Sequence, residues 1–220
     1  MSINTLAHVF TPHGNIVYTA NDFRQTLRIS VAGTIALSIS TFYNVQYGVF
    51  FVVYPLMLLS LVPVFNRHVA TQFVFSAAVN CVEMVLIVGY LSQWPLIMTL
   101  VVFGLYVMRF RFMSKGPLFL LGSMGVVCQS TMLNFMSYPT TNWHTLMFSN
   151  MEACVMAVAL SALLHYLIPD VEPRQPPPRI EKDAARVRHE SLLSGTVATM
   201  IFVVFQICDL SDSLSALMAG

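Results

Sequence analysis

The chain has 220 residues, of which 56% are hydrophobic and only 10% charged, and its formal net charge is +1. A soluble domain typically carries about 25% charged residues, so this chain has too little polar surface to cover a water-soluble fold. The near-neutral balance also suggests no nucleic-acid partner.

Long uncharged stretches recur, several near the roughly 18–20 residues that cross a bilayer as helix. A transmembrane β-barrel would show shorter segments of alternating polarity instead. The expected fold is an all-α polytopic membrane protein.

The opening MSINTLAHVFTPHGNIVYTA lacks a basic region followed by an apolar core, so it does not read as a cleavable signal peptide. Residues 1–26 form an N-terminal segment. Seven membrane segments follow, at about 27–43, 47–64, 70–90, 94–109, 116–137, 145–168 and 192–208. The first is rich in Ser and Thr and is the least apolar. The second holds Pro55 and Pro63, which predict a kink or a break. The fourth is short, with Trp94 at one end and Arg109 at the other as interfacial anchors. Between the sixth and seventh, residues 169–190 read as a proline-rich linker that ends in a charged stretch able to form a short helix leading into segment seven.

All 11 Lys and Arg residues fall on one side of this seven-segment arrangement. Arg24 and Arg28 begin segment one, and Arg67 separates two from three. Arg109, Arg111 and Lys115 separate four from five. The remaining five lie between six and seven. The other connections, near Asn44, Ser92 and 139–142, hold none. The positive-inside rule therefore predicts a cytoplasmic N-terminus and a cytoplasmic linker.

RQTLRISVAGTIALSIS from Arg24 is echoed by RVRHESLLSGTVATMIF from Arg186. Arg24, Gly33, Thr34, Ala36 and Ile39 recur as Arg186, Gly195, Thr196, Ala198 and Ile201. Parallel repeats of six helices would produce this echo. The expected organisation is a six-helix repeat over 27–168 and the first helix of a second repeat over 191–220. The chain would then be a fragment of a longer, twofold-repeated transporter.

The FRQTLR start, a first helix with small residues and a Gly-Thr pair, an aromatic and proline-bearing second helix, six helices, a linker and a restart together resemble the fusaric acid resistance family. That family includes the aromatic acid exporters of Gram-negative inner membranes, and the likeness is to its short branch, without the large cytoplasmic domain. The resemblance implies a bacterial inner-membrane efflux component, proton-driven, exporting small aromatic or amphipathic compounds. It also implies a periplasmic membrane-fusion adaptor and an outer-membrane channel as partners. The alternative is a non-transporting scaffold or assembly subunit. A homo-oligomer is compatible with either.

Two acids fall within segments, Glu83 and Glu152. An ionised carboxylate at mid-membrane costs on the order of 2.5–3.5 kcal/mol, and such residues usually face a bundle interior or a water-filled cavity. Glu83 lies roughly 20 Å from the cytoplasmic end of its segment and Glu152 roughly 10 Å below the periplasmic end of its own. They are at similar depth, as proton-coupling candidates. If they faced each other, they could share, bind and release a proton. Asn80, Gln129, Asn134 and Asn150 are candidates to line a polar path or to bridge helices, and Asn80 shares a helix face with Glu83. Arg24 and Arg28 either attract an anionic substrate or set topology by pairing with lipid phosphates. The same topological role is expected, more strongly, of Arg109, Arg111 and Lys115.

The four cysteines, Cys81, Cys128, Cys154 and Cys208, form no CxxC pair and read as small packing residues. No metal or cofactor is expected. No P-loop, nucleophile triad or metal motif points to an enzyme.

Overall fold

In a computed structural model, residues 19–62, 64–114, 116–136, 141–171 and 183–208 are described. Among them there are seven α-helices and no strands. These are α1 (Ala20–Phe42), α2 (Val49–Leu61), α3 (Arg67–Leu86), α4 (Pro95–Ser114), α5 (Phe119–Met136), α6 (Trp143–Leu167) and α7 (Ala184–Cys208). The all-helical reading holds. Four helical stretches are long and apolar enough to cross a membrane: Arg67–Leu91, Pro95–Ser114, Gly116–Met136 and Trp143–Leu167. The chain is a multi-pass membrane protein.

The other three helices differ from the expectation in instructive ways. α2 is continuous through Pro55 but only 13 residues long, or about 20 Å. Pro63 and Lys115 lie outside the described residues. α1 and α7 are long enough but are not among the spans selected by hydropathy. The exposed side of α1 carries Thr26, Ser30, Thr34 and Ser38, each hydroxyl donating to the carbonyl four residues earlier. That back-bonding is how a hydroxyl is tolerated along a helix facing hydrocarbon. α7 starts at Ala184, so the charged stretch at the end of the linker is helical and forms the first turns of this same helix. The central linker residues, 172–182, are outside the described set, as are 1–18, Asp209 and Asp212.

Local chemistry starts the helices. Thr19 and Asp22 form a capping box on α1. Asn66 accepts from Val69 N–H at the start of α3, and Asn142 accepts from His144 and Thr145 N–H at the start of α6. These side chains satisfy amides that the helix itself leaves open. α3 then loosens into a π-helical turn, Ile87–Leu91.

α2 packs between α1 and α6, α3 packs on α5 and α6, and α4 lies between α5 and α7. The core is aromatic and methionine-rich. Phe50, Tyr54, Phe73, Met84, Met124 and Met132 are fully buried, and Tyr54 meets Phe73 edge to face at 5.9 Å between centroids. At the end where α1 starts and α6 finishes, the two helices are clasped. Arg28 pairs with Asp170 at 2.7 Å and donates to the Ile168 carbonyl at 2.8 Å. Arg24 donates to the Pro169 carbonyl, and Val171 N–H donates to Asn21 at 2.8 Å.

Close approach of α4 and α5 depends on Gly122. A Cβ there would lie 2.5 Å from the Arg109 carbonyl oxygen and 2.7 Å from the Met113 backbone nitrogen. Backbone cannot yield as a side-chain tip can, and overpacking of this kind costs about 1–3 kcal/mol. Gly104 has open space around its missing Cβ. Gly122→Ala should therefore lower the detergent melting temperature, while Gly104→Ala leaves it unchanged or raises it. Thermal unfolding of the two purified variants checks this contrast.

Candidate functional site: a polar centre inside the bundle

α3 and α5 run parallel in a fixed register. Gln72 donates to the Pro117 carbonyl at 2.6 Å, and Ser76 donates to the Leu121 carbonyl at 3.0 Å, the same 45-residue offset. Continued one turn onward, that offset sets Asn80 level with Gly125 and Glu83 level with Cys128. α4 brings Arg109 into this layer. A methyl group built on Gly125 would lie only 2.6–2.9 Å from Arg109 Cδ, Nε and Cζ. Glycine is required here so that the guanidinium can lie against the α5 backbone.

Arg109 Nη2 then donates to Glu83 Oε2 at 2.7 Å, in an ion pair 1% exposed on the arginine and 13% on the glutamate. Glu83 stands about 12 Å from the C-terminal end of the Arg67–Leu91 span and Arg109 about 21 Å from the start of α4. The pair is thus within the spans. This corrects the expectation for Arg109. It is not an interfacial residue pairing with lipid phosphates, because α4 continues past it to Ser114 and turns it toward α3 and α5. Arg111, two residues on, is exposed.

A second polar knot lies beside the first. Asn150 of α6 is fully buried. Its Oδ1 accepts from the Tyr54 hydroxyl of α2 and from the Cys128 thiol of α5 at 3.2 Å, and its Nδ2 donates to Cys81 of α3 at 3.3 Å. One amide thereby joins four helices. Cys128 also lies 3.6 Å from the Met132 sulfur. The thiols are therefore hydrogen-bonding partners as well as packing residues. No group of three His, Cys, Asp or Glu side chains among the described residues is placed to hold a metal ion.

The other candidates divide. Asn80 and Gln129 are fully buried; Asn80 lies one helical turn before Glu83 on α3, and Gln129 one turn beyond Gly125 on α5. Asn80 Nδ2 donates to the Ser76 carbonyl at 2.8 Å. Its Oδ1, both amide atoms of Gln129 and Arg109 Nε are buried without a partner among the described residues. Asn134 is partly buried at the end of α5. Glu152 is exposed on the outer side of α6, with no ion-pair or hydrogen-bond partner among the described residues. It does not meet Glu83, whose carboxylate is turned inward to Arg109. Arg28 is 2% exposed and held by Asp170, so it is neither an open substrate funnel nor a lipid contact.

Sequence reasoning missed Arg109, Tyr54 and the cysteines as members of one centre. The signal was present for Arg109 alone: an arginine within an apolar run, 26 residues from an intramembrane acid.

Breaking a buried ion pair by removing one partner is strongly destabilising, by about 3–5 kcal/mol. Arg109→Ala should lose most of its folded yield in detergent. The double variant Glu83→Gln, Arg109→Gln should recover much of it, because no charge is left unpaired. Size-exclusion profiles of the single and double variants decide.

The family model described as "Protein of unknown function (DUF2955)" matches residues 25–164. That stretch runs from the first turns of α1 to the last turn of α6 and contains the whole polar centre. No curated protein and no solved structure matches the chain.

Proposed function

The chain belongs to the DUF2955 family, and on that premise we propose that it is a membrane transport component that exports small aromatic or amphipathic compounds, driven by protons. The observation that carries this reading is the Glu83–Arg109 pair buried between membrane-crossing helices. Ionisable residues at such depth are rare, pair with one another and mark substrate or proton pathways. Here the acid can serve as a switch. A proton on Glu83 neutralises it and leaves the Arg109 charge uncompensated, which favours an arrangement in which the α3–α4 ion pair is released. The π-helical turn that starts one turn beyond Glu83 supplies a segment of the kind often found at functional sites.

The placement in a bacterial inner membrane with a cytoplasmic N-terminus rests on the one-sided distribution of Lys and Arg and on the family resemblance. The periplasmic adaptor, the outer-membrane channel and the aromatic substrate class rest on that resemblance alone. Glu152 drops to a minor place in the proposal, because it stands apart from the pair. The alternative, a non-transporting scaffold, is favoured by Asn150, whose four-helix knot needs no transport to explain it.

Export of labelled aromatic and amphipathic compounds from cells carrying the gene in its native context separates the two. Under the transport reading, wild type exports at least one compound, protonophore suppresses it, and Glu83→Gln abolishes it with normal membrane insertion. Glu83→Asp should retain part of the activity. Unchanged export in Glu83→Gln removes Glu83 from the mechanism. Lowered folded yield with no exported compound in wild type favours the scaffold.

A further inference from the structure

Four buried polar atoms in the centre have no partner among the described residues: Asn80 Oδ1, Arg109 Nε, Gln129 Oε1 and Gln129 Nε2. They come from three helices and lie within about one helical turn of one another along the bundle. Arg109 Nε lies against Gly125, Gln129 is one helical turn further along the same face of α5, and Asn80 is level with Gly125 in the α3–α5 register. A buried polar group left unpaired costs about 1–3 kcal/mol. Three residues with four such atoms within about one helical turn of one another point to a ligand that satisfies at least three of them.

The atoms define the chemistry of that ligand. Two are carbonyl acceptors, Asn80 Oδ1 and Gln129 Oε1, and two carry N–H donors, Arg109 Nε and Gln129 Nε2. The Arg109 charge is already matched by Glu83 at 2.7 Å. An anion here would compete with that carboxylate, and a cation would face the guanidinium. An uncharged group that both donates and accepts suits this set: a single hydroxyl donates to one of the two carbonyls and accepts from both donor groups, and a water molecule, with its second O–H, can meet all four atoms.

We propose that Asn80, Arg109 and Gln129 form an intramembrane subsite for a single uncharged hydroxyl, supplied either by the head group of an amphipathic substrate or by a water molecule beside the Glu83–Arg109 pair. Its role in transport rests on the export reading above, but hydroxyl binding itself does not. A subsite built to hydrogen-bond a hydroxyl rejects an analogue that lacks the donor, because buried atoms are then left unpaired.

The test uses the full chain in lipid nanodiscs, without a proton gradient. Equilibrium binding of phenol, anisole and benzoate is measured for wild type and for Gln129→Leu, with Gln129→Met as a second apolar variant should the first fail to fold. In parallel, infrared spectra are compared in ordinary water and in water labelled with oxygen-18. If substrate supplies the hydroxyl, phenol binds at least about tenfold more tightly than anisole, as expected for one or two lost hydrogen bonds. Benzoate is then the weaker ligand than phenol, and the ratio of phenol to anisole falls to near one in the Gln129 variant. If water supplies it, phenol and anisole bind alike or not at all. A label-sensitive O–H band of an internal water is then present in wild type and lost in the variant. Preference for benzoate over phenol overturns the proposal. So does the lack of both a phenol preference and a water band in wild type, or persistence of either one in the Gln129 variant. None of these outcomes depends on export, so the subsite can fail while the role of Glu83 stands, and the reverse.

Discussion

A carboxylate and a guanidinium placed inside hydrocarbon have no water to turn to, and most of the bundle is arranged around meeting that demand. Glu83 and Arg109 satisfy each other at 2.7 Å, but only because three further conditions hold. α4 extends to Ser114, so that Arg109 sits within it. Gly125 leaves room on α5 for the guanidinium, and Gly122 lets the α4 and α5 backbones touch. The α3–α5 register, fixed by Gln72 and Ser76 at one end, then delivers Glu83 at the matching height. A buried ion pair is weak evidence for stability, since desolvation offsets most of its Coulomb energy.

Asn150 joins helices without a charge. Its amide is paired to Tyr54, Cys128 and Cys81, so α2, α3, α5 and α6 are tied at one point. The clasp of Arg24 and Arg28 onto the end of α6 closes the same group of helices from another side. α4, by contrast, meets the rest of the bundle through α5, α7 and the connection to α3. It carries the charge that pairs with Glu83.

Much of this was legible from residues alone, and the reasons for the rest are physical. Hydropathy located a helix at all seven expected places because uncharged runs of that length have few alternatives. α2 lies within the expected 47–64, but it runs on through Pro55 without a break, and the charged end of the linker is helix continuous with α7. Glu83 stood out because a lone acid in an apolar run is conspicuous. Arg109 did not, because an arginine near a segment end fits the rule for interfacial anchors, and one turn of extra helix is enough to move it inside the span. Asn80, Gln129 and Asn150 were visible as polar residues in membrane segments, but which of them would meet depends on the helix register. Tyr54 and the cysteines carried no polar signal in an aromatic, sulfur-rich core. Their roles emerge only when four helices converge on one amide.

The central claim is that Glu83 and Arg109 pair inside the bilayer. It is tested most directly by solid-state NMR of the protein in lipid, with 15N in the arginine side chains and 13C in the glutamate carboxyls. The account predicts a through-space dipolar contact between the Arg109 Nη nitrogen and the Glu83 carboxyl carbon, as the 2.7 Å nitrogen–oxygen separation requires, and its loss in Arg109→Lys. No such contact in wild type, with both residues assigned and the helices intact, would contradict the account.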